Sequence, residues 1–198
     1  MNYTMATRLP ILQLTELNEF GGFINFWKKM YFYPLENLYN ETIFKKQFDN
    51  DDLQRLFMWK NAMKLSEKKQ FSLDVKIKSK LKVINRYKLE TGWSINNFQN
   101  DFNELSAVWK IFLLHIIKPE IYPIYDQHIN RTYNFIHLLP HEGISATMSK
   151  IDKEDFYFEK YLPFIQSNKG YDLKSIDEAF FSFGKFLNTN KNEILFKI

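Results

Sequence analysis

The chain has 198 residues, 45% of them hydrophobic and 25% charged, with a net charge of +4, the balance of a folded globular protein rather than a disordered segment. It has no cysteine, which excludes disulfides, thiolate zinc sites, cysteine nucleophiles and iron–sulfur clusters. No basic stretch followed by an apolar run stands at the N-terminus, and the longest fully apolar piece, Ile111–Leu114, is too short to span a bilayer. A cytoplasmic location with no membrane partner is therefore expected. The 18% aromatic share accompanies many Ile, Asn and Lys, as AT-rich coding produces, and carries no function signal by itself.

Thr15–Met30 is expected as a first helix, from Leu17, Phe20, Ile24 and Trp27, although Gly21-Gly22 weakens it. Tyr33-Pro34 predicts a turn and Leu35–Phe48 a second helix. Asp49-Asn50-Asp51-Asp52 places carboxylates at the positive end of the next helix, Leu53–Lys64. Leu73, Val75 and Ile77 alternate like a strand, but the longer face Leu73, Ile77, Leu81, Ile84 and Tyr87 decides for one helix over Leu73–Leu89, closed by Thr91-Gly92. In Asn96–Ile117, Phe98, Phe102, Leu105, Trp109, Phe112 and Ile116 fall at steps of three and four. That pattern, apolar nearly all round in its second half, predicts one central buried helix.

A helix from Gln127 to Leu139 follows, with Ile129, Tyr133 and Ile136 inward, stopped by Pro140. His141–Ser149 reads as a loop, Phe156–Gln166 as a short helix broken near Pro163, and Asn168-Lys169-Gly170 as a turn. Ser175–Leu187 is the closing helix, with Ser175 and Glu178 spaced as a capping box. The predicted fold class is all-α, with 1–198 as one compact domain.

Between Lys64 and Lys88 nine basic residues, Lys80 and Arg86 among them, stand against only Glu67 and Asp74. Such a stripe suits a phosphate backbone, and it is also what a solvated helix face looks like. No glycine-rich phosphate loop and no nucleophile-elbow serine is present. His137 and His141 are four apart, but Pro140 breaks the helix that would align them, so no metal site is expected. His115, inside the apolar run, reads as a satisfied core histidine.

That leaves Tyr122–Arg131, where the apolar run hands over through a Pro-turn to a new helix. Asp126 at that junction is an N-cap by position, and its carboxylate is also one that a fold can hold rigidly and keep partly dry. Around it stand Tyr125, Gln127, His128, Lys118 and Arg131. On a helix His128 points away from Asp126, so the two do not make an acid–base pair. A lone carboxylate can stabilise an oxocarbenium-like transition state and orient a water, the two tasks in breaking an N-glycosidic bond.

The run Tyr125-Asp126-Gln127-His128-Ile129-Asn130-Arg131 resembles the Asp-x-His-x-x-Arg signature of the helix–hairpin–helix DNA glycosylase superfamily. The resemblance covers about Asn96–Leu139. It implies two helical lobes, here 1–70 with 150–198 and 71–149, holding a flipped base between them. Asp126 would be catalytic, and Tyr125, Gln127, His128, Trp109 and Phe180 would contact the base. Lys110, Lys118, Arg131, Lys80 and Arg86 would contact DNA. The family's Leu-Pro-Gly-x-Gly hairpin is replaced by Glu104-Leu105-Ser106-Ala107-Val108, and the positions of the Schiff-base lysine of bifunctional members hold Ala107 and Val108. The resemblance therefore implies a monofunctional, cofactor-free DNA glycosylase acting as a monomer and leaving an abasic site. Small stand-alone proteins of this type also act on hypermodified bases of phage DNA in bacterial defence. The alternative is a non-enzymatic basic helical nucleic-acid-binding module that uses Asp126 only as a cap.

Overall fold

Carboxylate caps fix several helix starts in this chain, and buried aromatic faces decide how the helices pair. The computed structural model describes residues 20–141, 148–168 and 170–189, and every regular element among them is helical, so the fold is all-α. In order these are α1 (Phe20–Trp27) with a 3₁₀ turn (Lys28–Met30), α2 (Glu36–Asn40), α3 (Asn50–Asn61), α4 (Glu67–Lys76) and a 3₁₀ turn (Lys78–Lys80). Then come α5 (Leu81–Leu89), α6 (Ile95–Asp101), α7 (Ala107–Ile117), α8 (Gln127–Ile136) and α9 (Lys150–Asp155). A π-helical segment (Phe156–Tyr161), α10 (Leu162–Ser167) and α11 (Leu173–Thr189) close the described chain. Residues 15–19 of the first expected helix, 142–147 of the expected loop and Lys169 of the expected turn lie outside the described residues.

Both long helices expected from the sequence are broken. Leu73–Leu89 divides at Ile77, whose φ of −120° and ψ of −61° leave the helical region. The 3₁₀ turn that follows keeps Leu73, Ile77, Ile84 and Tyr87 buried, so a broken element satisfies the apolar pattern as well as a straight one. Asn96–Ile117 divides at Phe102–Ser106, where Ser106 is extended ahead of α7. Phe102 and Leu105 stay buried through that turn.

Other boundaries shift for local reasons. Only Glu36–Asn40 of Leu35–Phe48 is helical, and the chain beyond it is held by an amide pair, with Phe48 N donating to Asn85 Oδ1 and Asn85 Nδ2 to Phe48 O, both at 2.8 Å. Helix α3 starts earlier than expected, because Asp49 and Asp52 form a reciprocal capping box. Helix α11 starts at Leu173 and takes its cap from Asp172, which accepts from Ser175 N at 2.8 Å, so Ser175 is not the cap.

The buried hydrophobic side chains form one contiguous cluster, with α7 enclosed over Ile111–Ile117. Against it α8 and α11 make the most extensive helix pairing. At their closest point Gly184 faces the His128 carbonyl so tightly that a Cβ there would lie 2.1 Å from the oxygen. Thr132 Oγ1 donates to Phe180 O at 2.6 Å and Arg131 Nη1 to Gly184 O at 3.2 Å, bonding the helices side chain to backbone. No helix among the described residues is long and apolar enough to cross a membrane.

This approach leaves no room for a methyl group. Gly184→Ala is expected to destabilise the fold by about 3 kcal/mol, as overpacking against a backbone atom does. Urea unfolding measures it, and an unchanged midpoint would mean that α8 and α11 separate freely.

Candidate active site

The site is assembled from four places in the chain. Helix α11 presents Lys174, Asp177, Glu178 and Phe181 at positions i, i+3, i+4 and i+7, one face of the helix. Helix α3 supplies Trp59 and Lys60, the segment before α2 supplies Tyr31 and Tyr33, and the link into α8 supplies Ile124 and Asp126, with Ile129 one turn on. Together they line a pocket of about 30 Å³, room for one or two waters.

Asp126 caps α8 as the sequence implied. Its Oδ1 accepts from His128 N at 2.7 Å and Ile129 N at 3.0 Å. Its Oδ2 lies 3.7 Å from Lys60 Nζ, with the side chain 22% exposed at the pocket edge. Lys60 is 8% exposed, donates to Tyr125 O at 2.9 Å, and holds its ammonium 5.6 Å from the centre of the Phe112 ring. Burial pushes its pKa down, and Asp126 and Asp177 oppose that shift.

Asp177 is the inner carboxylate, only 4% exposed. Its Oδ2 accepts from Ile124 N at 3.0 Å and its Oδ1 from the Tyr161 hydroxyl at 3.4 Å. Burial raises it to about 7, against the pull of the Ile124 amide, Lys174 and Lys60. Lys174 pairs with Glu36 and, at 3.7 Å, with Glu178. Its ammonium sits in an aromatic box, 4.5 Å from the Tyr39 ring centre, 5.0 Å from Tyr31 and 5.5 Å from Trp59. Burial works to raise Glu36, but hydrogen bonds from Lys174 and Tyr31 win and hold it below the usual range. Burial raises Glu178. Burial also raises the Tyr31 and Tyr33 phenols, reinforced by Glu36 at the first and Asp126 at the second, so both stay neutral.

Of the candidate catalytic, base-contacting and DNA-contacting residues expected from the sequence, Asp126 alone lines this pocket. Tyr125 is buried against Phe156 and Tyr157, its hydroxyl accepting from Asn130, and only its carbonyl reaches Lys60. Gln127 is exposed outside the pocket lining. His128 is half-buried, edge-on to Phe181 at 5.1 Å, and burial lowers its pKa. Trp109 packs on Phe57. Phe180 lies in the core among Phe20, Phe23 and Tyr161, and its neighbour Phe181 faces the pocket instead, a correction of one residue or about 100° of helix.

The basic residues expected to contact DNA are largely engaged within the fold. Lys110 is buried in an ion pair with Glu154 at 2.6 Å, and Arg131 is buried between Gly184 O and His128. Lys118 donates to the carbonyls of Lys88 and Glu90 at the end of α5, where a cation complements the helix dipole. Lys80 bonds Asp101 O above the Phe102 ring. Arg86 is exposed, 3.8 Å from Asp101 and 3.9 Å from Glu90, on the wall of a second, more open concavity of about 480 Å³. In the Lys64–Lys88 stretch, Lys76, Lys78, Lys80 and Lys88 all bond within the fold, and burial pushes Lys88 down to about 8. Lys64, Lys68, Lys69, Lys82 and Arg86 remain exposed.

His115 is the core histidine that the sequence suggested. Burial pushes it down to about 3, so it is neutral, with Nδ1 donating to Tyr122 O and Nε2 accepting from Tyr39 Oη, both at 2.7 Å. Among the described residues no three His, Asp or Glu side chains converge as metal ligands. Sequence reasoning missed Lys60, Lys174, Asp177 and the tyrosines. The charged positions 174, 177 and 178 on one face of an amphipathic helix were a legible signal for part of this set, whereas Lys60 carries none.

Asp177 gives the site a pH signature. Folded, it holds a proton up to about pH 7, and unfolded only up to about 4. The folded state therefore binds the extra proton between those values, and stability falls as pH rises through that window, by up to about 4 kcal/mol from this group. Asp177→Asn is expected to flatten the slope and to be the more stable protein at pH 8. Equal slopes in denaturant titrations of the two proteins would contradict this. No family model, no curated protein and no solved structure matches the chain.

Proposed function

We propose that the chain is a monofunctional DNA glycosylase in which Asp126 supports hydrolysis of the N-glycosidic bond of a flipped, damaged or modified base, leaving an abasic site. The observation that carries this reading is the state of one carboxylate. Asp126 is fixed through Oδ1 by two backbone amides, while Oδ2 borders a pocket walled by Tyr31, Tyr33, Trp59 and Phe181. A carboxylate held that way meets developing positive charge at C1′ without having to reorganise. The C1′–N bond breaks with its electron pair leaving on the base. A water oriented by Asp126 then bonds to C1′ through its oxygen, and its proton passes to the carboxylate and on to solvent, as the base takes up a proton.

The aromatic walls suit stacking on a nucleobase, which tolerates any base because each has a π-face. The pocket at about 30 Å³ holds water and not a base, so capture requires its rim to open. Lys174, 31% exposed between Glu36 and Glu178, is the side chain whose swing would enlarge it. Unstacking the target costs a few kcal/mol. Phosphate contacts fall to the exposed Lys64, Lys68, Lys69, Lys82 and Arg86, because Lys110, Lys118 and Arg131 are engaged inside the fold. The reading takes one chain acting as a monomer in the cytoplasm, and hypermodified phage bases belong in its substrate panel.

Asp126→Asn tests it. Asparagine keeps the cap acceptor, and Lys60 keeps the Tyr125 carbonyl, so stability is expected to drop by at most about 2 kcal/mol. Base release should fall by ~100-fold or more. Alkaline cleavage at abasic sites, on DNAs carrying uracil, alkylated, oxidised or bulky hypermodified pyrimidines, reads the loss. Activity that survives in Asp126→Asn would refute the assignment.

A further inference from the structure

The link Pro123–Asp126 is neither helix nor strand, yet Pro123, Ile124 and Tyr125 are buried. Connecting segments ordinarily run over the surface, where water satisfies their backbone. Three of its backbone groups are bonded by side chains, each from a different residue. The Tyr157 hydroxyl donates to Pro123 O at 2.9 Å. Asp177 Oδ2 accepts from Ile124 N at 3.0 Å. Lys60 Nζ donates to Tyr125 O at 2.9 Å and stands 3.7 Å from Asp126 Oδ2. These three side chains come from the π-helical segment, α11 and α3, so the link is held from separate parts of the fold.

We propose that Lys60 and Asp177 are positioning residues, two buried polar side chains from different helices that hold this link through its backbone and so fix the Asp126 carboxylate at the pocket. The inference rests on the reading of Asp126 as the catalytic group. Two buried ionisable groups are a costly way to satisfy two backbone groups, since burial penalises the charged form of each. What the polar clamp adds is placement. A lysine reaching from α3 and a side chain rooted in α11 bond atoms of the two residues before Asp126, so they anchor the backbone from which its carboxylate projects. A catalytic group displaced by about 1 Å loses on the order of 100-fold in rate.

The test uses four variants of the full chain. Lys60→Met and Asp177→Leu remove the bonds, whereas Lys60→Arg and Asp177→Asn keep a donor and an acceptor. On the DNA that the wild type cleaves, Lys60→Met and Asp177→Leu are expected to lose ~10- to 100-fold in kcat with KM within about twofold of wild type. Lys60→Arg and Asp177→Asn should recover most of that rate. Amide hydrogen exchange gives a readout that needs no activity. The Ile124 amide should exchange ~10-fold faster or more in Asp177→Leu, with the α7 amides unchanged. Should Asp177→Leu fail to fold, Lys60→Met makes the same kinetic test from the other side. Unchanged kcat in Lys60→Met and Asp177→Leu, or equal acceleration at Ile124 and α7, would overturn the proposal. A wild type that releases no base from any DNA would sink the glycosylase reading, while exchange at Ile124 would still decide the clamp.

Discussion

The contact between Gly184 and the His128 carbonyl sets how near α11 comes to α8, and the pocket depends on that distance. The helices are bonded at Thr132–Phe180 and Arg131–Gly184, beside the contact of the first turn of α8 with Gly184. Asp126, at the start of one helix, is thereby brought beside Lys174, Asp177, Glu178 and Phe181 of the other. A side chain at 184 would force the helices apart and strain the Arg131–Gly184 bond that joins them. A single glycine is therefore as much a determinant of the site as the carboxylates are.

The charges in the pocket sustain one another. Burial alone would drive Lys60 and Asp177 towards neutrality, and each opposes that in the other. Lys174 performs the same service for Glu36, which stays ionised despite its burial. The two aspartates end in different environments. Asp126 stands at the edge, held by backbone amides at a helix N-terminus, while Asp177 is inside with its pKa near neutrality.

The parts of this structure that the sequence made legible are those decided locally. Asp126 was legible because a cap needs only its own turn and the helix after it. So was α7, apolar all round, and so was the neutral His115 inside it. The breaks at Ile77 and at Phe102–Ser106 were hidden because the turns that replace helix keep the same residues inward, so apolar spacing cannot tell the two apart. Phe180 and Phe181 are equivalent by composition, and only the rotation of α11 against α8 ranks them. Lys110 and Arg131 lie close to Asp126 along the chain and looked like DNA contacts. Helix geometry turns them instead to Glu154 and Gly184. Lys60 arrives from a helix far earlier in the chain, and no local pattern announces a tertiary partner.

The proposed role of Asp126, stabilising positive charge at C1′ of a flipped nucleotide, can be tested without knowing which base is removed. DNA carrying a pyrrolidine abasic analogue places a protonated nitrogen where the oxocarbenium charge develops, and a tetrahydrofuran abasic site has the same shape without the charge. The measurement is the ratio of their dissociation constants, at one salt concentration, for the wild type and for Asp126→Asn. The wild type is expected to bind the pyrrolidine DNA ~100-fold more tightly or better, and the preference to disappear in Asp126→Asn. Equal binding of the two DNAs by the wild type, or a preference that survives in Asp126→Asn, would contradict it.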